Sequence, residues 1–455
     1  MGILSVLLLS FALRSTVAQV PSSGISAMQL DLPAMTLIKS GDFVMGDHYG
    51  YVDTAHPSDE VPLHTVHIDS FYIGTYITTN QEYCDYLNSA YGQGLIHVNN
   101  NIVYPVGDTH MLYLTHQDSV YYSIGWNGST FSVVDFRAKH PVVGVLWLGT
   151  AAYCNWLSQQ EGFSQCYDLS TGKCDFTRNG FRLPTEAEWE YAGRGGQYNP
   201  YYIYPWGNDT TNPAIANWPS SGDPYETGPY PYTTPVGFYD GSLRRKSDYN
   251  WPGSDTTYQT ANGGNAYGLY DMAGNVWEFI NDWYNKDYYS VSPYSNPPGP
   301  DTGSTMPDGK PCHGMRGGNW WSGTFGWSRV SNRDPSYYRG PGNDWFHVGF
   351  RVARPLRGAG VDDGAVTTPR LKLLANNPNP FRFSTRLTYS VPSTGLVTLR
   401  VYDVLGHEVA TLVNATKQPG SYAVQWDARR NAAGVYSCRL QAGGETTTRT
   451  LQLVK

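Results

Sequence analysis

Six cysteines, one pair of histidines and one acid-rich helix start are the residues whose types and spacing could carry chemistry in this chain. Cys166 and Cys174 bracket Tyr-Asp-Leu-Ser-Thr-Gly-Lys, in which Ser170-Thr171-Gly172 reads as a turn between two short strands. In an oxidising compartment that spacing predicts a disulfide closing the hairpin. Cys84 and Cys154 lie in similar helical strings, and Cys438 alternates with Tyr436 and Leu440 on one strand face, so these three read as small buried hydrophobes. Cys312 has no assigned role, and no CxxC or Cys/His cluster has zinc spacing. His64 and His67 form an HxxH string within an alternating segment. Residues three apart on a strand point to opposite faces, which predicts two surface histidines and no metal pair. The acids Glu186 and Glu188 invite a catalytic reading. Thr185 with Glu188 three residues on is also a capping box, and carboxylates at a helix start stabilise its dipole, which is the reading preferred.

The elements that must position these residues are few and short. A capping box at Thr79 and Glu82 opens a helix through Leu87, a second helix runs from about Gly149 to Gln160 and stops at Gly162, and Thr185 caps a third. From Pro200 to Pro311 aromatics, Gly, Pro and Asn dominate without periodicity, the mark of a long ordered loop region with a function. Beyond Leu371 the pattern changes. Val397, Leu399 and Val401 alternate with polar residues, as do Tyr422, Val424 and Trp426, with glycine turns between the runs, which predicts a small antiparallel sandwich.

The 455 residues are 40% hydrophobic, 14% aromatic and 15% charged, which excludes coiled coil, collagen and wholesale disorder. From Ala365 onward 11 Lys and Arg face 4 Asp and Glu, a balance of +7, whereas the rest carries 20 against 34, or −14. Two separate units follow. The tail's charges are scattered along alternating strands, so nucleic acid is not an expected partner. Ile3 to Leu13 is an apolar run too short to span a bilayer, and Thr16-Val17-Ala18 offers a cleavage site, so residues 1–18 read as a signal peptide. No later apolar run is long enough for a transmembrane segment in the mature chain. The expected organisation is a body over 28–355, a Gly- and Asp-containing linker over 356–370 and a β-sandwich over 371–455.

The body resembles the formylglycine-generating enzyme (sulfatase-modifying factor) family over nearly its whole length. The resemblance is carried, in family order, by Ser40-Gly41-Asp42-Phe43-Val44-Met45-Gly46, Asp59-Glu60-Val61-Pro62, His140-Pro141-Val142-Val143, the run from Phe181 to Ala192, the run from Tyr267 to Glu278, Arg316-Gly317-Gly318 and His347-Val348-Gly349-Phe350-Arg351. It implies an α+β fold related to C-type lectins with little regular structure. The tail resembles the type A sorting domain of the type IX secretion system through Asn376-Asn377-Pro378-Asn379-Pro380-Phe381, the run from Val401 to Val409, and Gly434-Val435-Tyr436. That implies an immunoglobulin-like sandwich, the type IX secretion machinery as partner, and a secreted or cell-surface protein of a Gram-negative, Bacteroidetes-like bacterium.

Active members of the resembled family oxidise a substrate cysteine to formylglycine and hold Cu(I) between two thiolates on the loop after Gly-Gly. Cu(I) is a soft ion that needs such ligands. Laid on that loop, Gly317, Gly318 and Arg329 match, while Asn319 replaces the serine, Ser322 the first copper cysteine and Trp327 the second. No cysteine lies between Cys312 and Cys438, so no copper is expected. Nor does a Gly-x-Ser-x-Gly elbow frame Ser322 for hydrolysis. The resemblance also implies two calcium ions. One would use Asp271, Glu278 and the carbonyls of Gly274 and Val276. The other would use Asn217, Asp223 and the carbonyls of Trp218 and Tyr225. The expected function is binding or extracellular self-assembly without catalysis, through self-association or a glycan or other surface ligand. The alternative is a copper-dependent oxidase acting on sulfatase cysteines.

Overall fold

The computed structural model describes residues 32–51, 59–116, 121–196, 200–208, 212–307, 309–321, 325–336, 345–356, 371–373, 376, 380–391, 394–417 and 420–454. The expected signal peptide, most of the linker and part of the Asn376–Phe381 motif lie outside them. So does Ser322.

Three helices form where local signals place them. Helix α1, Asn80–Gly92, starts at a complete Thr79–Glu82 capping box and runs beyond the expected end at Leu87. Helix α2, Trp147–Glu161, begins two residues before the expected Gly149 and ends at Gly162, whose left-handed φ of 74° closes the last turn. Helix α3, Glu186–Gly193, carries the Thr185–Glu188 capping box, and every one of its residues is buried. A helix enclosed on all sides needs partners for its charges, and the site below supplies them.

Short strands surround these helices. Phe71–Gly74 pairs antiparallel with Met35–Ile38 on one side and Ala353–Pro355 on the other. Gly41–Met45 pairs with His64–Ile68. Trp277–Trp283 lies between His313–Arg316, antiparallel, and Val348–Phe350, parallel. One face of α3, through Ala187, Trp189, Tyr191 and Ala192, packs into a core with Phe43, Val66, Ile73, Met272 and Ile280. The region from Pro200 to Pro311 holds little regular structure besides Trp277–Trp283 and a hairpin of Leu243–Arg245 with Thr257–Gln259.

The C-terminal region is all strand: a three-stranded and a four-stranded antiparallel sheet line one apolar cluster. Val397, Leu399, Val401, Cys438 and Leu440 are fully buried within it, following the alternation in the sequence.

The hairpin of Tyr167–Asp168 with Lys173–Cys174 forms, with Gly172 in its turn at φ 71°. The expected Cys166–Cys174 disulfide is not formed in the structure: both cysteines are thiols. The two sulfurs are nonetheless in contact. Their mutual hydrogen bond holds the Cys166 thiol below its ordinary value and pushes that of Cys174 up. Cys84, Cys154 and Cys438 are buried, as their strings implied.

Candidate functional site

The three acids of α3 are structural. Glu186 accepts from Arg333 Nε and Nη2, both at 2.8 Å. Glu188 accepts from Arg182 at 2.6 and 2.7 Å besides closing its capping box. Glu190 accepts from Arg194 at 2.7 Å and Arg316 at 2.5 Å. Two further pairs fix neighbouring loops, Glu60 with Arg329 at 2.8 and 2.5 Å and Glu278 with Arg351 at 2.6 Å through each oxygen. A buried carboxylate is tolerated only when paired and hydrogen-bonded, and these bidentate forks meet that condition. The histidines also take separate partners. His64 Nδ1 contacts the Pro62 carbonyl, and His67 lies between Asp42 at 2.7 Å and Asp69 at 3.5 Å.

The loop corresponding to the copper loop leaves His313–Arg316 through Gly317 and Gly318, both at positive φ. A Cβ on Gly318 would stand 2.6 Å from Ser328 Oγ, so glycine is needed for the close return of the chain. Asn319 is buried and its Oδ1 accepts from the Trp321 amide at 2.7 Å, which fixes a turn. Trp327 is half-buried with its ring 6.4 Å from that of Trp277. Arg329 lies over the Tyr51 ring at 3.9 Å and anchors the far end of the loop to Glu60. At this place the described residues present indole, amide and guanidinium groups and no thiolate.

Around the loop start six aromatic residues converge. Trp320 and Trp321 meet at 71° with centroids 5.4 Å apart. Tyr230 lies 5.7 and 5.5 Å from them, and Phe346 5.9 and 5.6 Å. Tyr232 contacts Trp320 at 5.2 Å, and Tyr121 stacks on Phe346 at 4.3 Å. Trp321 keeps 43% of its surface exposed. Sequence reasoning did not find this set, because its members are scattered from Tyr121 to Phe346.

The two candidate calcium loops touch each other and this cluster. The Asn275 amide donates to the Asn217 carbonyl at 2.7 Å, and a Cβ on Gly274 would lie 2.3 Å from the same oxygen. Trp320 N donates to the Asn275 carbonyl at 3.0 Å, and Asn217 Nδ2 to the Tyr232 carbonyl at 2.8 Å. Asn217 Oδ1 is buried without a hydrogen-bond partner. Asp223 is buried and accepts from Ser221 Oγ, Tyr225 N and Tyr239 OH; burial pushes its carboxyl up to about 6. Asp271, at φ 56°, accepts from Gly237 N at 2.7 Å, and burial likewise pushes it up to about 6. Of the remaining candidates, Glu278 is held by Arg351 and Trp189, Val276 is fully buried, and the Trp218 and Tyr225 carbonyls accept the amides of Ser221 and Gly228. Among the described residues no group of three or more His, Cys, Asp or Glu is arranged to hold a metal, so any ion here would need carbonyl and amide oxygens beside its carboxylates. An orphaned amide oxygen and two desolvated carboxylates fit a hard cation.

A family profile described as "Sulfatase-modifying factor enzyme 1-like domain" matches residues 22–356. The chain is 30% identical over 289 residues to the formylglycine-generating enzyme of Thermomonospora curvata, covering 59% of this chain and 79% of that protein. It is 29% identical over 290 residues to the serine/threonine-protein kinase pkn1 of Chlamydia caviae, covering 63% of this chain and 33% of the relative, so it spans about a third of that protein's length. Among solved structures, Treponema denticola variable protein 1 aligns with a TM-score of 0.43 and 23% identity over 70% of this chain and 94% of that one. A mostly stranded body with few helices, the seven ordered motifs and a profile match across most of the length converge: the chain belongs to the sulfatase-modifying factor enzyme 1-like (FGE-sulfatase) family.

Proposed function

We propose that this protein is a non-catalytic member of its family, exported and used for binding or extracellular assembly. One observation carries the reading. No cysteine lies between Cys312 and Cys438, and the described residues of the loop after Gly318 contribute Trp320, Trp321 and Trp327 to aromatic contacts and no thiolate. A serine at 322 and a tryptophan at 327 are poor ligands for Cu(I). The acids nearest in sequence to a catalytic role, Glu186, Glu188 and Glu190, are engaged by arginines. Competition of the purified protein with a Cu(I) chelating chromophore tests this: weak, non-stoichiometric uptake is expected, and tight one-to-one binding would refute it. Light scattering then separates assembly from recognition by a monomer.

Calcium has a structural part in this reading. Asn217, Asp223 and the carbonyls of Trp218 and Tyr225 would hold one ion, and Asp271, Glu278 and the carbonyls of Gly274 and Val276 the other. An ion at either place would offset the burial of Asp223 or Asp271 and stiffen loops that back the aromatic cluster. The strands beyond Leu371 are proposed as the sorting domain of type IX secretion, supported by the Gly434-Val435-Tyr436 and Val401–Val409 strings. Export by that route would bring Cys166 and Cys174 into an oxidising setting, where their contact favours the disulfide.

A further inference from the structure

The body and the C-terminal region each expose an apolar patch, and the charges around the two are opposite. On the body, the segment 291–296 is fastened to the strand His64–Ile68. His67 N donates to the Tyr294 carbonyl at 2.6 Å, and Asn296 N to the His67 carbonyl at 2.8 Å. Those bonds hold Val291, 75% exposed, and Tyr294, 55% exposed, out in solvent. The rim is acidic. Tyr294 OH donates to Asp42 at 2.9 Å, and Asp69 is joined to the Asn296 amide by bonds of 2.9 and 2.8 Å. Among the described residues neither aspartate pairs with Lys or Arg, and His67 alone stands between them.

The C-terminal region carries the converse. Phe383, 66% exposed, lines an open hollow of about 710 Å³ with Ser384, Gln425, Asp427 and Arg429. Arg382 and Arg430, both exposed, adjoin Phe383 and Arg429 in the chain. Three arginines therefore face one acid, Asp427, which Arg429 already holds. An apolar centre inside a charged rim has the make-up of an interface. The charge balance of the two regions, −14 before Ala365 and +7 from it onward, adds attraction at longer range. A lipid surface would take the basic hollow and leave the acidic patch without a partner, whereas a second copy of the chain presents both halves. We infer that copies of this chain associate head to tail, the patch of Val291 and Tyr294 on one seated over the Phe383 hollow of the next. The pair still exposes one patch and one hollow, so the contact is heterologous and continues into a ring or a filament. This deepens the assembly side of the function proposed above and rests on it.

Sedimentation velocity of the mature chain, from about 1 to 100 µM and in about 0.05 and 0.5 M salt, tests the contact. Mass should grow with concentration, and the higher salt should weaken association roughly tenfold through screening. Phe383→Ser, at an exposed side chain, should weaken it by a similar factor. Arg382→Glu with Arg430→Glu, and separately Asp42→Lys with Asp69→Lys, should each leave a monomer. Mixing the two charge-reversed proteins should restore association, because every contact between unlike variants again joins opposite charges. Association that is equal in both salts, or that survives Phe383→Ser or either reversal, overturns the inference and leaves assembly through another face standing. A mixture that stays monomeric, although both variants melt like the parent, overturns it as well. A monomer at every concentration removes assembly altogether. None of these results touches the non-catalytic reading, which falls to tight Cu(I) binding or to oxidase activity.

Discussion

Replacing Glu190 by glutamine tests whether the acids of α3 hold the fold together. The Glu190 side chain is fully buried and faces Arg316 and Arg194, themselves 0% and 2% exposed. Its Oε1 also accepts the Gly46 amide at 3.0 Å, tying α3 to the turn after Gly41–Met45. Glutamine keeps the shape but leaves two guanidinium groups short of an anion in a dry interior. Breaking a buried pair in this way costs about 3–5 kcal/mol. At roughly 2 °C per kcal/mol for a domain of this size, the melting temperature should fall by about 6–10 °C. The pH dependence has a definite sign. Burial opposes the charge on Glu190, but Arg194 and Arg316 outweigh it and hold the carboxyl below its ordinary 4.5. Its contribution is therefore fully present above pH 4.5 and is lost as pH falls through the depressed folded value. Urea unfolding of both proteins at pH 7 and at pH 3 measures this. The gap should be large at pH 7 and narrow in acid. A loss under about 1 kcal/mol at pH 7, comparable to breaking the exposed Asp175–Arg178 pair, would refute the structural role.

Oxidation should join Cys166 to Cys174, read without reductant as two tryptic peptides, split at Lys173, that stay linked by the disulfide; closing this nine-residue loop would add about 2.5 kcal/mol, lost on reduction. Chelation with EDTA should lower the melting temperature and calcium should restore it, a hundredfold excess over the dissociation constant being worth about 2.7 kcal/mol. Asn217→Ala should blunt that response, and an unchanged melting curve in EDTA would remove calcium from the account. Gly318→Ala should destabilise by about 1 kcal/mol or more, because φ is 73° and the new Cβ meets Ser328 Oγ, and an unchanged urea midpoint would contradict the glycine requirement.

Features encoded within a few residues were legible in the sequence. The capping boxes of α1 and α3 and the glycine stop of α2 are local, and the alternation of Val397, Leu399 and Val401 reports burial directly. The two N-terminal residues of α2 were missed because Leu146 caps without a side-chain bond. Identity of the charge partners was not legible. Glu186 reaches Arg333 across 147 positions and Glu190 reaches Arg316 across 126, and helix-dipole reasoning alone explains neither. The absence of cysteines from the 317–329 loop could be read from residue identity, whereas the aromatic cluster at the start of that loop depends on tertiary contacts among Tyr121, Tyr230, Tyr232 and Phe346. The contact of Asn217 with Gly274 is of the same kind, since only the fold brings the two calcium loops together.

The most direct test of the central claim is to load the purified mature protein with Cu(I), mix it with a Cys-x-Pro-x-Arg peptide in air, and search for the aldehyde by mass spectrometry. Beside an active formylglycine-generating enzyme, this protein should leave the cysteine unchanged. Aldehyde that appears only when this protein is present would contradict the account and require a copper site other than the 317–329 loop.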